Sequence, residues 1–343
     1  MAPLYKLSYF DVRGLSEPIR LLFHDQKIEF IDHRFDRNEW PKIKPTIGMF
    51  GQVPCLYENG NPIVQSGAIM RHLGRRFDLY GNADEMTYVD EIYEGICDLK
   101  RKYAPFIYTE HSEEEVEKFT KEVLLVELQK FENLLKGKKY ILNDKCLSNS
   151  LKVAILAKMP LYKLVYFDIR GLAEPIRLLL HDQRLFGQVP CLYEDDQPIV
   201  QSGAIMRHLG RRFGLYGNAE EMTYVDQIYE GVVDLRLKYA RLIYSDSFHD
   251  SKGKFVNEVL PDELAKFEKI LTRKKYILDD EITFADYALA ELLDVLLILS
   301  STCLENFTAL TIYHSRFMNR PNLKRYLSSD IRKNAKINGN DNK

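Results

Sequence analysis

A chain of 343 residues is long enough for two or more domains. With 45% hydrophobic residues, 29% charged residues and a formal net charge of −2, it has an ordinary globular make-up. It lacks the basic footprint of a nucleic-acid or anionic-membrane binder. The longest apolar run, ALAELLDVLLILSS from Ala288, is too short to cross a bilayer and carries Glu291 and Asp294. The start, MAPLYKLSYF, has no basic segment ahead of an apolar one, so no secretory signal is expected. Cys55, Cys97, Cys146, Cys191 and Cys303 make no C-x-x-C pair and no metal spacing. A reduced, cytoplasmic setting without metal or cysteine-pair redox chemistry is expected.

In chain order, YKLSYF alternates as a strand. RGLSEPIRLLFHDQ comes next as a helix, with Ser16 as N-cap, Pro18 in the first turn, and Ile19, Leu22 and Phe23 along one face. EFIDHRF supplies a second strand, and CLYENGNPIVQ two short strands around an Asn59-Gly60 turn. SGAIMRHLGRRF opens a helix with Ser66 as N-cap. The basic cluster RHLGRRF, at Arg71 and again at Arg207, reads as a solvated helix face in a net-acidic chain. This order, β-α-β-(α)-β-β-α, is that of a thioredoxin-like domain. The segment behind it is helical, and Leu124, Leu128, Phe131 and Leu135 recur at helical spacing as a core stripe.

The chain then repeats itself. LYKLSYFDVRGLSEPIRLLFHDQ (Leu4 to Gln26) returns at Leu161 to Gln183, an offset of 157. Phe50 to Tyr108 returns at Phe186 to Tyr244, an offset of 136, so 21 residues are missing from the second copy. The first copy breaks off after LSNS, whereas the second continues through Val256, Leu260, Leu264, Phe267 and Leu271 to TFADY and RPNLK. Thr283 and Asp286 have the spacing of an N-cap and N3 pair that starts a buried helix. The fold class expected is an α/β thioredoxin-like domain plus an all-α helical domain, duplicated in one chain. Boundaries fall at 1–82 and 83–150 (truncated helical domain), a linker at 151–160, a truncated unit at 161–218, a complete helical domain at 219–330 and a polar tail at 331–343.

The second unit lacks its second strand and following helix. An eleven-residue helix is about 16 Å long, and Arg184 with Leu185 can cover only roughly 10 Å even when extended. That copy is therefore not expected to keep both its first helix and its GQVP loop in place. Its first strand is left as a sheet edge.

YKLSYFDVRG, FGQVPCLY, IVQSGAIMRHLGRRFDLYG, DLKRKY, TFADY and RPNLK, in this order and spacing, resemble a cytosolic glutathione transferase, pi-class-like, as a tandem duplication with each copy truncated. The resemblance implies conjugation of the glutathione thiolate to electrophilic small molecules (detoxification), with glutathione as co-substrate and no cofactor. A thiol near pKa 8.5 needs about 2.7 kcal/mol of preferential thiolate stabilisation to ionise two units lower, a task one well-aimed hydroxyl can largely perform. The family places that hydroxyl on Tyr9, with Tyr166 as its counterpart in copy 2.

The same resemblance implies glutathione contacts at Trp40, Lys44, Gln52, Val53, Pro54 (held cis in the family), Gln65 and Ser66. It also implies an aspartate reaching across a dimer interface, Asp98 or its counterpart Asp234; from sequence alone a solvated helix charge is the simpler reading of Asp98. Phe10, Val12 and Tyr108 would line the second-substrate pocket. Leu15 departs from the family, where a basic residue is common. Gln188, Val189, Gln201, Ser202 and Tyr244 join Tyr166 in a degenerate second site. The expected partners are glutathione and hydrophobic electrophiles, not nucleic acid or membrane, in a homodimer or an internal pseudo-dimer. The alternative is a catalytically weak protein that binds glutathione or hydrophobic ligands, derived from the fused pair.

Overall fold

A computed structural model describes residues 3–136, 138, 162–165, 172, 174–176, 191–194, 197–340 and 342. Strand β1 (Tyr5–Phe10) buries Tyr5, Leu7 and Tyr9 on one face and is central in a four-stranded sheet of order β2-β1-β3-β4. Helix α1 (Glu17–Asp25) carries the chain to β2 (Phe30–Phe35), which runs parallel to β1 with Tyr5 opposite Phe30. After the one-turn helix α2 (Trp40–Ile43) come β3 (Cys55–Glu58) and β4 (Asn61–Val64), an antiparallel hairpin. Asn59 and Gly60 both have positive φ, 51° and 84°, as a two-residue turn of the primed type requires. Helix α3 (Ser66–Arg76) closes the unit over Tyr5, Leu7, Ile19, Phe23, Leu56, Ile63, Ile69 and Leu73.

Of the two expected N-caps, Ser16 holds the cap position of α1 and Ser66 does not hold that of α3. Ser16 precedes α1, but its hydroxyl makes no capping bond, because a 3₁₀ turn over Gly14–Ser16 leads into the helix. Ser66 is the first residue of α3, and the cap position belongs to Gln65, whose φ is +70°.

The helical part of copy 1 comprises α4 (Ala83–Ile107), α5 (Glu113–Phe119), a π-turn over Thr120–Leu124, and α6 (Leu125–Leu135). The expected core stripe is not core here: no residue of α6 is buried, and Leu128 is 43% exposed. The sequence breaks off before the helices that would cover it.

Copy 2 has a three-stranded antiparallel sheet, β5 (Tyr162–Val165), β6 (Cys191–Glu194) and β7 (Gln197–Val200). Among the described residues no strand flanks β5 on its other side, as the deletion demands. The segment spanning the deletion lies outside the described residues, as does LSNS.

Helices α7 (Ser202–Arg212), α8 (Met222–Ile243), α9 (Phe248–Lys254), α10 (Leu260–Leu271), α11 (Phe284–Leu299), α12 (Thr308–Met318), α13 (Pro321–Leu327) and α14 (Asp330–Asn334) complete this copy. Here Leu260, Leu264, Phe267 and Leu271 are buried beneath α11 and α12. The buried Asp286 carboxylate starts α11 by accepting from the Thr283 N–H (2.7 Å) and hydroxyl (2.8 Å), the Ile277 N–H (3.0 Å) and the Tyr313 hydroxyl (3.0 Å). Burial lifts its pKa to about 6.

The two copies pack through a pair of related contacts: α3 of copy 1 lies on α8 of copy 2, and α7 of copy 2 lies on α4 of copy 1. Arg71 and Arg207, expected on a solvated face, are both buried at this junction, which corrects that reading. Arg71 reaches Asp90 (2.7 Å), Glu94 (2.7 Å) and Glu230 (2.8 Å). Arg207 reaches Asp226 (2.9 Å), Glu94 (3.1 Å) and Glu230. Each arginine thus pairs with carboxylates of its own copy and of the other, which is what makes burial of the charges tolerable.

Candidate functional site

The site forms where β1 ends beside the loop entering β3. Ser8 pairs with Cys55, so continuing the register sets Tyr9 beside Pro54, and the Val53–Pro54 peptide is cis. Tyr9 is 8% exposed. Its hydroxyl oxygen accepts a hydrogen bond from the Leu15 N–H (3.2 Å), leaving the phenolic proton to be donated elsewhere. Accepting that bond also polarises the O–H and strengthens it as a donor.

Two residues that sequence reading missed hold this geometry. Gly14 has φ +45°, and a Cβ there would stand 2.6 Å from the Tyr9 hydroxyl. Arg20, buried in α1, donates to the carbonyls of Val12 (2.9 Å) and Arg13 (3.4 Å) and pairs with Asp32 (3.1 Å), which braces the loop over Tyr9. The available signal was an arginine on the apolar face of EPIRLL.

Further along this rim, Trp40 stacks on Phe35 (6.0 Å between centroids) and meets Phe10 edge-on (5.5 Å). Lys44 lies exposed but folds against Gly51, whose Cβ would be 3.6 Å from the Lys44 side chain. Gln65 at the start of α3 donates to Gln52 (2.9 Å), and both amides donate to Asp234 of copy 2, at 3.1 and 3.3 Å. The α3 N-terminus adds outward backbone N–H groups at Ser66, so donors and one carboxylate converge there. Such a set can hold a ligand that carries both a carboxylate and an ammonium.

The reciprocal contact in copy 2 is Gln201 donating to Asp98 (3.0 Å), while Arg101 also pairs with Asp98 (2.6 Å). Asp98 is therefore engaged across the copies and is not simply a solvated helix charge. Ser202 begins α7 as Ser66 begins α3. Tyr166, Gln188 and Val189 lie outside the described residues. The Tyr244 hydroxyl accepts from the Gly339 N–H (3.0 Å) of the C-terminal tail. Tyr108, its counterpart, is 70% exposed and Val12 is 50% exposed, so two of the three residues expected to line a second-substrate pocket in copy 1 are open to solvent, whereas Phe10 is half-buried against Phe35 and Trp40. Among the described residues there is no cluster that could hold a metal ion, and no helix long and apolar enough to cross a membrane.

Comparison with known proteins gives one consistent picture. A model of the glutathione S-transferase N-terminal domain matches residues 5–75 and 136–211, and one of the glutathione S-transferase C-terminal domain matches 233–330. A glutathione S-transferase of Dirofilaria immitis is 48% identical over 204 residues, covering 52% of this chain and 98% of the relative. Glutathione S-transferase 2 of Onchocerca volvulus is 47% identical over 204 residues, with the same two coverages. Glutathione S-transferase P of Caenorhabditis elegans is 45% identical over 203 residues, 52% of this chain and 97% of its own. About half of this chain thus accounts for nearly all of each relative.

Proposed function

The chain belongs to the glutathione S-transferase family, and from that premise we propose that it conjugates glutathione to electrophilic small molecules at one competent site per chain. That site belongs to copy 1 and is completed by copy 2, so the chain is an internal pseudo-dimer. The observation that carries the reading is the Tyr9 hydroxyl, which accepts from the Leu15 N–H and so has its own proton to offer a sulfur anion. A charge-assisted bond of this kind favours the thiolate, which is the attacking species.

The γ-glutamyl end of glutathione carries a carboxylate and an ammonium. The α3 N-terminus and the Gln65 amide suit the first, and Asp234 suits the second. Trp40 and Lys44 would meet the glycine carboxylate, and the Val53 backbone would pair with the cysteinyl peptide unit. The thiolate then attacks the electrophilic carbon, the C–S bond forms, and the leaving group departs with its electron pair. The free cysteines Cys55, Cys97, Cys191 and Cys303 accord with a cytoplasmic setting.

The test is a conjugation assay with glutathione and 1-chloro-2,4-dinitrobenzene on the full chain and on Tyr9→Phe. Loss of one such donor is expected to lower kcat about a hundredfold. Equal activity in the two proteins would overturn the proposal. A second reading, a protein that binds glutathione but turns over poorly, is favoured by the exposure of Tyr108 and Val12. It predicts calorimetric glutathione binding with negligible conjugation by the parent itself.

A further inference from the structure

The two copies build one arrangement twice, where the start of a helix in one copy meets an aspartate of the other. Gln65 and Gln201, which precede α3 and α7, share an uncommon backbone conformation, with φ of +70° and +66°. Each donates its side-chain amide across the junction, Gln65 to Asp234 (3.1 Å) and Gln201 to Asp98 (3.0 Å). The residue before each glutamine docks alike: the Val64 N–H donates to Gln227 (2.8 Å) and the Val200 N–H to Glu91 (2.6 Å). Asp98 on α4 and Asp234 on α8 are themselves counterparts at the 136-residue offset of the repeat.

One residue sets the two pairs apart. Three positions beyond each aspartate stand Arg101 in copy 1 and Leu237 in copy 2, both half-buried. The Arg101 guanidinium donates to Asp98 Oδ1 at 2.6 Å while Gln201 donates to Oδ2 at 3.0 Å. Both oxygens are engaged, and a cation offsets the carboxylate in place. Asp234 instead accepts from two neutral amides, Gln52 (3.3 Å) and Gln65 (3.1 Å), both at Oδ2, which offset no charge. The sequence itself fixes this difference, since a leucine supplies no cation.

We infer that Arg101 is a specificity-determining residue: it confines ammonium recognition to the Gln65–Asp234 pair and so makes the two copies unequal toward a γ-glutamyl ligand. The inference rests on the proposed role of Asp234 as partner of the glutathione ammonium. At Asp98 an incoming ammonium must displace a guanidinium held by a charge-assisted bond, or stand beside a like charge. At Asp234 it meets a carboxylate whose known partners are both neutral. Arg101 belongs to copy 1 yet acts on the site of copy 2. The 21-residue deletion and this arginine therefore bear on the same site by separate routes.

The experiment moves the arginine to the working site. Leu237→Arg is made in the full chain, and calorimetry follows the binding of S-hexylglutathione and of its desamino analogue, which carries glutaryl in place of γ-glutamyl. S-Hexylglutathione is expected to bind about tenfold more weakly than to the parent, and the desamino analogue no more weakly. Leu237→Met, long but neutral, is expected to leave both affinities within about twofold of the parent. In the reverse variant, Arg101→Leu, a second and weaker S-hexylglutathione site is expected beside the first. The inference is overturned by an unchanged affinity in Leu237→Arg, by an equal loss for both ligands, or by the same loss in Leu237→Met. A single site in Arg101→Leu overturns it as well. Asp234→Ala separates this failure from that of the reading beneath it. If Asp234→Ala keeps the parent's preference for the amino ligand, Asp234 does not hold the ammonium and both readings fall. If it abolishes that preference and Leu237→Arg does not, only the role of Arg101 falls.

Discussion

Helices α6 and α10 carry the same pattern of apolar residues, yet they meet opposite fates. Leu264 and Phe267 of α10 are 0% and 1% exposed, whereas their counterpart Leu128 in α6 is 43% exposed and no α6 residue is buried. The difference lies far along the chain: copy 2 continues into α11 and α12, and copy 1 stops. A periodic stripe states which face a helix could bury; whether that face is buried depends on the helices that come later in the chain.

Four experiments bear on this contrast, beginning with the junction both copies share. Arg207→Met takes one of two arginine partners from each of the buried-network carboxylates Asp226, Glu94 and Glu230, leaving Arg75 to the first and Arg71 to the other two, and is expected to cost about 4 kcal/mol in urea denaturation. A cost below about 1 kcal/mol would mean that the network does not hold the copies together. Leu264→Ala in α10 is expected to cost about 3 kcal/mol and Leu128→Ala in α6 less than about 1 kcal/mol, measured the same way. Equal costs would show that copy 1 has found another cover.

Acid should act on the shared junction. Burial opposes ionisation of Asp90 and Asp226, but Arg71 and Arg207, with Arg211 beside Asp90 and Arg75 beside Asp226, outweigh it and hold both carboxyls below their usual range. Their contribution is therefore complete above about pH 4, the unfolded value, and is lost as the pH falls through the depressed native values. Glu230 runs the other way: burial raises its pKa, so protonating it favours the folded state. Asp226→Asn is expected to lower stability at pH 7 and flatten the loss below pH 4; an unchanged acid limb would remove Asp226 from this role. The smallest effect concerns the caps. Thr283→Ala at α11 should cost about 1 kcal/mol and Ser112→Ala, which caps the exposed α5, about 0.5 kcal/mol.

Much of this was legible in the residues. The repeat, the four-stranded order, the Asn59-Gly60 turn and the Thr283–Asp286 start each rest on local chemistry, and each is present. Arg71 and Arg207 were misread because the partners each finds in the other copy, Glu230 and Glu94, lie more than a hundred residues away, and it is that other copy which covers them; the acidic residues 19 and 23 positions on do not by themselves distinguish a buried arginine from a solvated one. Gly14 and Arg20 were missed because they act on Tyr9 through backbone geometry, which composition does not record. The α6 stripe failed for want of a neighbour.

If two copies make one working site, the number of glutathione molecules bound per chain decides the matter. Calorimetric titration of the full chain with glutathione should give a single site, lost or strongly weakened in Asp234→Ala, which removes the carboxylate that copy 2 lends to copy 1. Two equivalent sites per chain, or binding indifferent to Asp234, would contradict the shared site.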